Sequence, residues 1–297
     1  MDLHYLKVFN ILASELSFSK AANLLYISQP AVSIQIKKLE EELGFKLFHR
    51  SGRNLYLTDN GKLLYGYTKK IFALLAEVES IFSTQAGNMR GLLEIGASNT
   101  PGTYILPAIL GEFKELYPDV VTSLHIGNTY EIERMAIENR IDFAVNGGDI
   151  SYSGEVQVEK LSEDEVILIA SPSNSLAKLQ YVERADLANA KCIAHEKNSQ
   201  LYKLFESIWD ELDLPINIVM AMGHIDAIKQ AVAANLGISA VPASAAKTEL
   251  KLGLLKQLKI KGKRWFYPYN LIYNKKRRIS PACKKLMELV RKKMKAL

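Results

Sequence analysis

The chain is poor in cysteine: it has two, Cys192 and Cys283, far apart and without metal-ligand spacing. That excludes a disulfide framework or a cysteine-based zinc module and leaves two buried or idle thiols in a reducing compartment. No run of 18 clean apolar residues is present, so no transmembrane helix and no membrane partner are expected. The start, Met1-Asp2-Leu3-His4-Tyr5, is polar and lacks an apolar signal region, which points to the cytoplasm. There is no Gly-rich phosphate loop, metal-spaced His/Cys set or nucleophile elbow. An enzyme is therefore not the expected class, and neither a metal nor a cofactor is expected.

What is present is enough chain for two or three domains, with 297 residues that are 48% hydrophobic. The net charge of +6 hides an asymmetry. Residues 1–60 carry 7 basic and 6 acidic side chains, residues 91–250 carry 11 and 23, and residues 251–297 carry 16 and 1. The basic tail, with Lys275-Lys276-Arg277-Arg278, reads either as a second nucleic-acid patch or as a solvated face that offsets the acidic body.

The most informative stretch is Ser17 to Arg53. Leu3, Leu6, Phe9 and Ala13 mark a first amphipathic helix. Ser17 and Ser19 sit where a cap belongs, and Ala21, Ala22 and Leu25 let two helices approach closely. Ser28 caps a third helix with Pro30 in its first turn and Gly44 at its end. On that helix Val32, Ile36, Leu39 and Leu43 make a core stripe, while Gln29, Ser33 and Lys37 face the other way. An amide, a hydroxyl and a cation are the groups that address base edges and phosphates. Lys46 to Arg50 and Asn54 to Thr58 read as a hairpin about Ser51-Gly52-Arg53, with Arg50 and Arg53 projecting from its tip. The layout is a winged helix-turn-helix that takes double-stranded DNA. The DNA-contacting candidates are Ser19, Ser28, Gln29, Pro30, Ser33, Gln35, Lys37, Lys38, Arg50 and Arg53. A small all-α core remains the plain alternative.

From Asp59 to Gln85, Leu64, Tyr67, Ile71, Leu74, Val78 and Ile81 alternate steps of three and four. This seam on a linker helix about 40 Å long predicts pairing with a second copy, with packing onto the chain's own effector domain as the alternative. Gly87 to Gly91 reads as a hinge. Beyond it strands and helices alternate, which predicts a mainly parallel sheet, with a helix over Ile105 to Tyr117 and a second α/β unit beginning near Val166. Open sheets of this kind bind ligands beyond strand ends, at helix N-termini that favour anions. Ser98, Asn99, Thr100, Thr129, Ser199, Gln200 and Ile225 fall at such mouths. His195 and His224 fall there too, as ligand-binding groups whose charge varies near neutral pH or as plain loop residues.

The string Phe9, Ser17, Phe18, Ala21, Ala22, Leu24, Ser28, Gln29, Pro30, Ala31, Val32, Ser33, Ile36, Leu39, Glu40, Leu43, Gly44, Leu47, Phe48, Arg50, Arg53, Leu57, Thr58 and Gly61 resembles the N-terminal domain of LysR-type transcriptional regulators. The segments RGLLEIGASNTPGTYILPAILGEFKELYP and AIKQAVAANLGISAVP resemble the branch that governs carbon fixation and sulfur assimilation, so the likeness covers essentially the whole chain. It implies that Gln29, Pro30 and Ser33 face bases, that Arg53 works from the wing, and that the effector is a small, anionic metabolite. Three departures stand out. Ile34 replaces a frequent Arg and either meets a thymine methyl or packs inside; HEKNSQLY, His195 to Tyr202, lacks both arginines of the usual segment; Gly147 replaces an acidic residue.

The expectation is a DNA-binding domain over 1–58, a linker and dimerisation helix with hinge over 59–90, and a two-lobed α/β effector domain of the periplasmic-binding-protein type over 91–297. Lobe I covers about 91–164 and 269–297, and lobe II about 165–268. The partners are DNA, a small metabolite, RNA polymerase, and further copies in a homodimer or dimer of dimers. A solute-binding protein without a regulatory role is the alternative.

Overall fold

The structure, a computed structural model, describes residues 2–52, 54–85, 89–149, 151–197 and 199–295. Arg53, the side chain of Ile81 and residues 87–88 of the expected hinge lie outside the described residues. The chain divides into two units, Met1–Phe82 and Ser83–Leu297.

The first unit holds α1 (Leu3–Glu15), α2 (Phe18–Leu25), α3 (Gln29–Leu43), the hairpin β1 (Phe48–Ser51) and β2 (Asn54–Leu57), and the start of α4 (Asp59–Gln85). Local chemistry sets each boundary. Ser17 Oγ accepts from Lys20 N at 3.4 Å, and Ser28 Oγ from Ala31 N at 3.3 Å. Gly44 ends α3 at φ 78°, a backbone that an L side chain adopts only with strain. Tyr26 ends α2 in the same left-handed region without being glycine. Phe9, Leu12, Ala21, Val32, Ile36, Leu39 and Leu47 form one core, and Leu43, Leu64 and Ile71 pack against it.

The second unit runs β3 (Gly91–Ser98), α5 (Asn99–Tyr104), α6 (Leu106–Leu116), β4 (Val120–Gly127), α7 (Thr129–Ile137), β5 (Phe143–Gly147) and β6 (Val156–Ala170). It continues with α8 (Arg184–Leu187), β7 (Lys191–His195), α9 (Gln200–Glu211), β8 (Asn217–Met222), α10 (Ile225–Ala233), β9 (Ser239–Pro242) and α11 (Ala243–Lys251). The strands β10 (Lys256–Leu258) and β11 (Trp265–Asn274) and the helix α12 (Pro281–Met294) complete it. The main sheet has the order β10-β6-β11-β5-β3-β4, with β9 also on β6, and β7 pairs β8 in a second sheet.

Three expectations are corrected. The sheet is mixed: β3 is parallel to β4 and β5, and β7 to β8, but β11 runs antiparallel to β5 and β6, and β6 antiparallel to β9 and β10. The helix expected over Ile105 to Tyr117 is α6, but the segment before it, expected to be a loop, forms the short helix α5, so Asn99 and Thr100 are helical. The strand read from Val166 begins at Val156, because β6 is one long strand. Its first part pairs with β11 from Asn274↔Val156 to Trp265↔Val166, and its end pairs with β9 and β10. Thus β6 and β11 pass between two lobes, one built on β3–β5 with α12, the other on β7–β9.

The C-terminal cations serve this fold. Arg277 pairs with Asp142, Arg291 with Glu159 at 2.9 Å, Lys293 with Glu112 at 2.5 Å, and Arg264 with Glu165 at 3.1 Å. Four of the tail's cations thus pair with carboxylates of the acidic body. Cys192 and Cys283 are buried and free, and burial pushes both thiols up, Cys192 to about 12.

Candidate nucleic-acid interface and interlobe cavity

On α3 the two sequence-predicted faces separate. Val32, Ile36 and Leu39 are buried, while Gln29, Pro30, Ser33, Lys37 and Lys38 are exposed, as is the Ser28 cap. Ser19 donates to Gln29 Oε1 at 3.2 Å, which fixes the amide at the start of the helix. Gln35 is only half-exposed, and its Oε1 is buried without a partner among the described residues. Ile34 is 57% exposed, so packing inside is excluded, and an apolar side chain stands on the open face. The Arg50 guanidinium lies 5.4 Å from the Phe18 ring centroid.

Two features of this unit escaped sequence reading. Glu40 is buried at the end of α3 and accepts from Leu47 N at 2.9 Å, Phe48 N at 3.4 Å and Lys46 Nζ at 2.7 Å. A helix carboxylate thereby holds the wing strand. Tyr26, in the turn between α2 and α3, is 96% exposed. A carboxylate beside Leu39 in the core stripe was the available signal for the first; nothing local marked the second.

On α4 the expected seam splits. Leu64 and Ile71 are covered in part by the first unit's own core, whereas Tyr67, Leu74 and Val78 are exposed. Leu63 joins them, so the open stripe runs Leu63, Tyr67, Leu74, Val78 in steps of four, seven and four. The expected seam of Leu64, Tyr67, Ile71, Leu74 and Val78 is thus corrected to this narrower stripe.

In the second unit a cavity of about 190 Å³ is lined by Ser98, Asn99, Thr100, Gly127, Asn128, Thr129, Tyr130, His195, Glu196, Ser199, Gln200, Leu201, Gly223, Ile225 and Tyr267. It draws on both lobes, at the ends of β3, β4 and β7 and the starts of α5, α7, α9 and α10. Eight of the nine candidates therefore meet there. The ninth, His224, is exposed at the start of α10 and does not line the cavity.

Several of these groups are already engaged. Ser98 Oγ accepts from Gly147 N at 2.8 Å, and Thr129 Oγ1 donates to Gly147 O at 3.4 Å. A Cβ at Gly147 would come within 2.3 Å of Tyr267 Cε1. Tyr267 thus fills the room an acidic side chain would need, which accounts for that departure. Ser199 caps α9 by accepting from Tyr202 N at 3.0 Å, and Gln200 Nε2 donates across the lobes to Tyr130 Oη at 3.3 Å.

His195 is 3% exposed, and its Nε2 has no hydrogen-bond partner among the described residues. Burial lowers its pKa to about 4, so the ring is neutral near pH 7. The expectation of a charge that varies near neutrality is corrected for this residue. Beyond the cavity, Tyr104 of α5 donates to Asp226 Oδ1 of α10 at 2.8 Å. Lys229, whose side chain is 4% exposed, reaches Asp226 at 3.0 Å, Glu249 at 2.7 Å and Ala245 O at 2.7 Å, and lies 4.7 Å from the Tyr104 ring centroid. Among the described residues no group of acidic, His or Cys side chains is arranged to hold a metal, and no helix is long and apolar enough to cross a membrane.

Known proteins match both units. Residues 3–62 match the bacterial regulatory helix-turn-helix of the lysR family, and residues 86–295 match the LysR substrate binding domain. A "Probable RuBisCO transcriptional regulator" of Cyanophora paradoxa is 36% identical over 259 residues, covering 86% of this chain and 80% of that one. Its namesake from Nostoc sp. is 34% identical over 258 residues, covering 85% and 77%. In fold, the chain is similar to CbnR, a LysR family transcriptional regulator, with a TM-score of 0.74 at 21% identity over 99% of both chains. The same protein complexed with its target DNA gives 0.74 at 21% identity over 99% of this chain and 100% of that one. A winged helix-turn-helix followed by a two-lobed effector domain, matched along nearly its whole length, makes this chain a member of the LysR family of DNA-binding transcriptional regulators.

Proposed function

We propose that this regulator controls genes of carbon fixation, as the names of its relatives suggest, and that a small molecule in the interlobe cavity alters its hold on a promoter. The observation that carries the reading is the cavity, because it gathers side chains from both lobes and so couples occupancy to lobe position. A ligand that prefers one lobe arrangement shifts the population toward it, and only that difference in affinity does regulatory work. Gln29, Pro30 and Ser33 meet base edges; Ser19, Ser28, Gln35, Lys37, Lys38, Arg50 and Arg53 serve phosphates and positioning. Two copies pair through the open stripe of α4, setting two readers on a palindromic site. A dimer of dimers and contact with RNA polymerase follow from this reading, as does action in the cytoplasm.

The test is binding of the protein to DNA upstream of its own gene and the adjacent divergent gene, over a salt series. The expected result is sequence-specific binding that Gln29→Ala with Ser33→Ala abolishes while the fold persists. Retained operator affinity in the double variant would refute the face assigned to α3.

A further inference from the structure

The cavity walls carry chemistry that narrows the ligand. Three helices of nine residues or more, α7, α9 and α10, begin at it with Thr129, Gln200 and Ile225. Their N-termini turn free N–H groups and positive potential on whatever sits between them. Asn128 caps α7 and Ser199 caps α9, but α10 has no side-chain cap. One anionic group is thereby favoured. A second negative charge is not: among the described lining residues Glu196 is the one that bears a formal charge at pH 7, and it is negative.

A separate observation points to the rest of the molecule. His195 is buried and lines the cavity, and its Nε2 lacks a partner among the described residues. Tyr267 is buried in the same wall, held against Gly147, and its hydroxyl has no hydrogen-bond partner among the described residues. Buried polar groups of native proteins are paired, and a site built this way rejects a ligand that leaves them orphaned. A hydroxyl answers both, donating to the imidazole and accepting from the phenol.

We propose that the cavity takes a compact hydroxylated monocarboxylate, its carboxylate at the N-termini of α7, α9 and α10 and its hydroxyl against His195 and Tyr267. Glu196 turns away dicarboxylates and phosphate dianions. The proposal rests on the reading of this cavity as the effector site, and it makes His195 and Tyr267 the residues that set specificity.

Isothermal titration of the full-length protein at neutral pH tests it, with lactate, 2-hydroxybutyrate, propionate, malate and inorganic phosphate as probes. The hydroxy acids are expected to bind about tenfold or more tighter than propionate, malate or phosphate. In His195→Gln and in Tyr267→Phe, each checked for folding by its melting curve, the preference for lactate over propionate should fall several-fold. His195→Arg should move the preference toward malate. Malate or phosphate binding as tightly as lactate overturns the proposal. So does the absence of any hydroxy-acid binding up to about 10 mM, or a lactate preference unchanged in both variants. The same ligands are then added to the operator assay. A dianion that binds and alters promoter binding removes the ligand class and leaves the effector-site reading standing. A hydroxy acid that binds and leaves promoter binding unchanged does the reverse.

Discussion

Glu40 holds the wing from inside the recognition helix. Its Oε1 accepts two backbone N–H groups, of Leu47 and Phe48, in a buried setting. Glu40→Ala leaves both without a partner, so a loss of about 2–4 kcal/mol is expected, read as a lower urea midpoint for the first unit and weaker operator binding. An unchanged midpoint would remove the role. His195 gives a pH dependence. Its pKa is about 4 in the folded chain against 6.5 for the free group, so between those values the unfolded chain binds more protons and stability rises with pH. The contribution is complete above about pH 6.5 and is lost as pH falls to about 4, on the order of 3 kcal/mol in all. Urea unfolding at about pH 7 and pH 5 should show a larger loss for the native protein than for His195→Gln, and equal losses would refute it. These two residues also mark what was legible. Ser28, Pro30 and Gly44 could be read because a cap or a turn depends on neighbours in sequence. The work of Glu40 depends on a strand in another element, and the charge of His195 on burial, so neither was written locally.

Among elements, α4 shows how a periodic pattern is shared between surfaces. The steps of three and four were read correctly as a helix, but periodicity reports an apolar stripe and not which surface covers it. Leu64 and Ile71 turn to the first unit's core, and the open stripe shifts to include Leu63. The same limit explains the mixed sheet. Strand and helix alternated as parallel units do, yet β11 returns from the far end of the chain antiparallel to β5 and β6, a pairing no local pattern carries. The stripe makes a prediction. Tyr67→Glu with Leu74→Glu places carboxylates on exposed positions, so the folded monomer should lose little stability while two such stripes can no longer be buried together. Sedimentation should show the double variant as monomer at concentrations where the native protein is dimeric. A dimer that survives both changes would place pairing elsewhere.

Across the whole effector domain the two lobes share two kinds of connection, and they differ in what they allow. The strands β6 and β11 pass through both lobes and pair along ten registered positions, so they fix the hinge. The side-chain link from Tyr104 to Asp226, backed by buried Lys229, joins α5 to α10 beside the cavity and can open without breaking a sheet. Both helices begin at cavity residues, Asn99 and Ile225, so a ligand there and this link bear on the same motion. Lys229 keeps Asp226, Glu249 and the Ala245 carbonyl when the phenol hydroxyl is removed. Tyr104→Phe should therefore cost only about 1 kcal/mol of global stability but loosen the lobes, raising amide hydrogen exchange in α5 and α10 while β6 and β11 stay protected. Lys229→Met should behave differently, because it leaves the mostly buried Glu249 without its cation, whereas Asp226 is exposed and keeps the Tyr104 hydroxyl, with an expected loss of about 3 kcal/mol. If Tyr104→Phe leaves exchange in α5 and α10 unchanged, the link does not restrain the lobes, and coupling must run through the β6 and β11 hinge and the Gln200–Tyr130 hydrogen bond.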